Sequence, residues 1–163
     1  MLRRVRETAP AGLVPLAWLF ASAAHLELLA ARSVLIGHLV MTALLAAFAA
    51  LSYREMRSHP VLRAWLAVIV LGVGVTSFGT YGVANGHDVF ATLAVGGWMA
   101  LPGIALGYTG HVLPADEHAR LYGVGAALCG FGVALLFVDA VVPALVAAAV
   151  GQTLGILVAT VEY

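Results

Sequence analysis

The chain has 163 residues, 63% hydrophobic and 10% charged, with a mean hydropathy of +1.02 and eight basic against eight acidic side chains. A water-soluble domain carries about a quarter charged residues, so this composition excludes a globule with a solvated polar surface. The even charge balance offers no basic face for nucleic acid.

Long apolar runs broken by short charged segments match helices solvated by lipid. One crossing takes about 20 apolar residues at about 1.5 Å rise per residue. The chain divides at Arg32-Ser33, at YREMRSHP (53–60), at NGHD (85–88), at GHVLPADEHAR (110–120) and at VDAVVP (138–143). The predicted spans are about 10–31, 33–53, 61–84, 88–110, 119–138 and 140–161. The expectation is an all-α, polytopic membrane protein. Its single domain, 1–163, holds six transmembrane helices, and connections this short make neighbouring helices antiparallel.

The start MLRRVRETAPAGLVPLAWLF has the basic-then-apolar order of a signal peptide, but its apolar run continues to about residue 31. That is too long for a signal core, so it reads as a retained first span. With the N-terminus cytoplasmic, Arg3, Arg4, Arg6, Arg54, Arg57, Arg63 and Arg120 fall inside and only Arg32 outside. The bias predicts a multi-pass protein of the cell membrane with both termini cytoplasmic.

The first hairpin carries the candidate chemistry. His25 lies seven positions before Arg32 and His38 six after it, which puts both rings at matching depth below an external turn. Glu27 is near His25, Thr42 is one turn below His38, and Tyr81, Asn85, His87, Asp88 and Asp139 map to the same side. His59, His111 and His118 fall at the cytoplasmic boundary. An ionisable residue within a span costs about 2.5–3.5 kcal/mol at mid-depth and therefore has a partner or a function.

Neutral imidazole is also the form that ligates haem iron, zinc or copper. His25, His38 and His87 are thus candidate cofactor ligands, and His25, His38 and Glu27 a candidate set for a transition metal. Neighbouring helices about 8–10 Å apart leave little room for a porphyrin. A haem b would therefore be shared between this hairpin and a more distant helix, through His87 or His111. The segment AHLELL resembles the histidine-led helices of haem-copper oxidase subunit I. Ala30, Ala31 and Arg32 stand where those helices carry glycine and tryptophan, so membership does not follow.

Membrane helices associate by close backbone approach, so glycines mark packing faces. Gly96, Gly103, Gly107 and Gly110 share one face of the fourth span; Gly103–Gly107 and Gly151–Gly155 are each GxxxG pairs. These four residues are the predicted helix-packing set, and they make a homodimer or a partner in a membrane complex a candidate. Pro102 is expected to bend span four. Thr76 and Thr80, like Ser77 and Tyr81, are four apart in span three; Gln152 lies mid-membrane. Cys129 is the single cysteine and reads as a small core residue.

No Walker loop, HExxH or GxSxG occurs. The leading functional expectation is a redox or respiratory-type component holding haem or a metal in the outer half of the bundle. The alternative is a transporter, a channel or an accessory subunit of a larger complex, with a polar outer pocket.

Overall fold

The computed structural model describes residues 2–114 and 117–162, with side chains described over 11–114 and 117–160. Arg3, Arg4 and Arg6 thus lie outside the described side chains. Among the described residues the fold is all-α, with α1 (Leu2–His25), α2 (Ala31–Met56), α3 (Pro60–Asn85), α4 (Asp88–Val112), α5 (Ala119–Leu136) and α6 (Val141–Glu162). Helices α2 to α6 are long and apolar enough to cross a membrane. In α1 the apolar part is the shorter stretch Ala11–His25.

The helix ends follow local chemistry. Pro60 starts α3 at a position where its missing N–H costs nothing, behind an extended His59. Gly86, at φ 68°, ends α3, and the His87 N–H returns to the Gly82 carbonyl at 2.8 Å. The same reversal closes α5 at Asp139 (φ 56°), where the Ala140 N–H meets the Leu135 carbonyl at 3.0 Å. Both use a left-handed residue to satisfy the last carbonyls of the helix.

Helix α1 ends in this way too, six residues earlier than its predicted span. Glu27 adopts φ 57°, with Glu27 N–H on the Ala24 carbonyl (3.1 Å) and Leu28 N–H on the Ala23 carbonyl (2.9 Å). The connection is therefore 26–30, not Arg32-Ser33, and Arg32 lies in the first turn of α2. This overturns the matching depth of the two histidines. His25 is the exposed last residue of α1, whereas His38 lies about 10 Å along α2.

The chain forms two compact units, residues Met1–Ser22 with Pro102–Tyr163, and residues Ala23–Leu101. In the first, α5 and α6 approach backbone to backbone. A Cβ added at Gly125 would lie 2.7 Å from the Gly151 carbonyl oxygen, and one at Gly151 would lie 2.6 Å from that of Gly125. Leu106 of α4 fills the space left bare at Gly155, and the Cys129 Cβ would sit 2.8 Å from a Cβ at Gly103. A Cβ at Gly107 would meet Ala126 at an ordinary 3.6 Å.

In the second unit, the Trp98 ring crosses Gly72, where an added Cβ would come within 2.5 Å of it. The indole N–H donates to Thr76 Oγ1 (3.1 Å), whose own hydroxyl donates to the Gly72 carbonyl (2.8 Å). A Cβ at Gly97 would stand 2.9 Å from Val75. The α4 helix runs unbroken through Pro102, the residue at which the two units divide.

Much of the fully buried material is small or polar, as at Ala144, Ala148, Cys129 and Thr109, while Leu16, Leu19, Leu51 and Phe137 are exposed. In water that distribution is a liability; in lipid it is ordinary, because acyl chains solvate leucine as well as a core does.

Candidate functional site

His38 is the predicted ligand that helix packing holds in place. Its Nδ1 lies 2.9 Å from the Val34 carbonyl. A carbonyl only accepts, so Nδ1 carries the proton and donates, leaving the Nε2 lone pair facing α3. There a Cβ added at Gly79 would be 2.7 Å from Nε2 and 3.0 Å from the Ala94 Cβ. The His38 ring edge thus packs against the bare Gly79 position of α3. In this packing the His38 ring lies between α2 and α3. Thr42 donates to the His38 carbonyl at 2.8 Å, a bond within its own helix.

The other predicted ligands are not gathered with it. His25, Glu27 and His87 are each exposed, the first two at the end of α1 and the third in the α3–α4 turn. Among the described residues no group of three or more His, Cys, Asp or Glu side chains comes together to hold a metal ion. The haem and metal expectations gain no support from this geometry. The hydroxyls of Thr76, Ser77, Thr80 and Thr109 each donate to the carbonyl four residues earlier, at 2.8 Å. They are satisfied within their own helices.

A different set of residues does converge. Gly74, Ser77, Phe78 and Tyr81 recur at 3, 4 and 7, which places them on one face of α3. The tight Gly86 turn brings Phe90, in the first turn of α4, against that face. Together these five residues line a lateral groove of about 520 Å³.

The walls are flat and aromatic. The Phe78 and Phe90 rings are parallel within 4° at 6.3 Å, and Tyr81 meets Phe90 edge-on at 5.2 Å. Tyr81 also stacks with His87 at 5.9 Å, and His87 meets Phe90 at 6.1 Å. The rings buttress one another, as aromatic pairs do at such distances. The floor is bare, since no atom lies within 4 Å of where a Gly74 Cβ would be.

The polar groups sit at one end of this groove. Asn85 Nδ2 donates to the Tyr81 carbonyl at 2.8 Å and fixes the rim. The Tyr81 hydroxyl and the His87 imidazole belong to exposed residues at this end. The sequence marks Tyr81 and His87 as polar residues at the same end of α3. Phe78, Phe90 and Gly74 are not marked in this way, although the 74-77-78-81 spacing on α3 is a signal that could have found three of the four wall positions.

Comparison with known proteins finds no protein family, no curated protein and no solved structure that matches this chain.

Proposed function

We propose that the chain is a six-span membrane protein with both termini cytoplasmic, binding a lipid-soluble molecule in the α3–α4 groove at its external end. This puts it in the binding class, as a small component or accessory subunit of a membrane system. Five helices carry the composition for crossing. The apolar part of α1, Ala11–His25, reaches about 22 Å, so in this reading the sixth crossing also uses the turns before it, with the sequence's N-terminal arginines at the cytoplasmic boundary. Short connections then make successive spans antiparallel.

The observation that carries the reading is the groove. It is a shallow, largely open depression of about 520 Å³ with aromatic walls, and the polar Tyr81 and His87 side chains lie near one end. In the same unit the hydroxyls of Thr42, Thr76, Ser77 and Thr80 donate within their own helices, while the buried Ser52 hydroxyl has no hydrogen-bond partner among the described residues.

Gly74→Leu fills the groove from a position with open space around it, so folding should be unchanged. The test is native mass spectrometry of protein released into lipid nanodiscs directly from its own membrane. The wild type should carry a bound non-protein mass that Gly74→Leu lacks. Gly123→Leu, an exposed glycine of α5 with equally open surroundings, should keep it. The same bound mass on Gly74→Leu would remove the groove from the account.

A further inference from the structure

We infer that the α2–α3 turn holds the headgroup of an anionic phospholipid, with the acyl chains lying along the apolar helix surface beside it. The inference stands apart from the groove reading, and the topology proposed above sets only which leaflet supplies the lipid.

Charge is the first argument. Arg54 in the last turn of α2, Arg57 just past its end and Arg63 at the end of the first turn of α3 are all exposed. Glu55 is the only acidic residue from 51 to 66, so with His59 neutral the three guanidiniums leave a net charge of +2. Guanidinium meets phosphate through paired N–H donors. Arg57 is already ordered, with its guanidinium 5.7 Å from the centre of the Tyr53 ring.

The backbone adds to this. Helix α3 begins at Pro60 with no acidic residue in its first turn and no side-chain hydrogen bond from His59. The N–H groups of Val61 and Leu62 precede the first bond of the helix, from the Arg63 N–H to the His59 carbonyl at 2.8 Å. A phosphate oxygen is the acceptor that such a helix start favours.

The apolar neighbours decide which phosphate fits. Leu51, Tyr53 and Leu62 are 77%, 50% and 42% exposed, each within a turn of an arginine. In a membrane this is the level where acyl chains give way to headgroups and where tyrosine is enriched. A free phosphate uses only the charged half of this surface, whereas a phospholipid matches both halves.

The test is native mass spectrometry of the delipidated full chain in neutral detergent, titrated with dioleoyl phosphatidylglycerol or dioleoyl phosphatidylcholine. The chains are identical, so the difference reads the headgroup. The first phosphatidylglycerol should bind roughly tenfold more tightly than phosphatidylcholine, as expected of two or three arginines beside an anionic head. Arg54→Gln together with Arg63→Gln should bring the two lipids to equal affinity, and either change alone should give an intermediate loss. Arg32→Gln together with Arg120→Gln removes the same charge elsewhere and should keep the preference. All four positions are exposed, so both double variants should fold as the wild type does.

Equal affinity of the wild type for the two lipids, or the same loss in both double variants, would overturn the assignment. Displacement of phosphatidylglycerol by excess inorganic phosphate would overturn it too, since the site would then take a free anion without the lipid. Detergent exposes both ends of the protein, so the outcome is separate from that of the topology and of the groove.

Discussion

Gly151→Leu and Gly125→Leu are each expected to destabilise the protein by about 3 kcal/mol or more, at or above the upper end for overpacking. The reason is that each residue faces the backbone of the other. An added Cβ would come within 2.6–2.7 Å of a carbonyl oxygen, and backbone cannot rotate away as a side chain does. At such approaches Cα–H groups also meet carbonyl oxygens favourably, and separation forfeits those contacts. Gly103→Leu should follow, because it meets the Cβ of Cys129, with Gly107→Leu the mildest of the four. Denaturant titration in mixed micelles measures the series, with Gly123→Leu as the control that should unfold like the wild type. Equal stability across all five would mean that α5 and α6 do not approach through these glycines.

The second large effect is expected at Gln152, which is 4% exposed in an apolar helix. The Trp18 indole N–H donates to its Oε1 at 3.0 Å, and the Gln152 side chain also hydrogen-bonds the Cys129 thiol. Gln152→Leu removes both bonds and leaves a buried indole N–H without an acceptor, a loss of about 1–3 kcal/mol. Trp18→Phe should cost a similar amount. The double variant should fall short of the sum by about 1 kcal/mol, the coupling of a single hydrogen bond between membrane helices. Strict additivity would show that the bond between α1 and α6 contributes nothing to stability.

Helices were legible in this sequence because lipid imposes a length and charge rule that any chain must obey. Span positions two to six agree with the observed helices to within a few residues, since Pro60, Gly86 and the charged loops punctuate the apolar runs. The end of α1 was not legible. Its reversal uses Glu27 in a left-handed conformation that glycine usually supplies, so nothing in LELLAAR announces a stop. Arg32 drew attention as the charge, and the supposed symmetry of His25 and His38 came from that misplaced break.

The groove was half legible for a related reason. Helical spacing places Gly74, Phe78 and Tyr81 on one face, but the arrival of Phe90 depends on the geometry of the Gly86 turn. Likewise, a histidine inside a span reads equally as a ligand or as a spacer. The structure adds that the ring packs against Gly79, forty-one positions away, a contact that the spacing of α2 does not reveal. Contacts between helices are set by rotation about each axis, and the apolar pattern of a lipid-facing helix constrains that rotation weakly.

The account stands on the α3–α4 end, and with it the mouth of the groove, lying at the external face. Single cysteines at Asn85 and Ser58 test this most directly, in a Cys129→Ala background and with a membrane-impermeant maleimide on intact cells. Both positions are exposed. The cysteine at Asn85 should label at once, and the one at Ser58 only after permeabilisation. Labelling of Ser58→Cys in intact cells, with Asn85→Cys protected, would contradict the account.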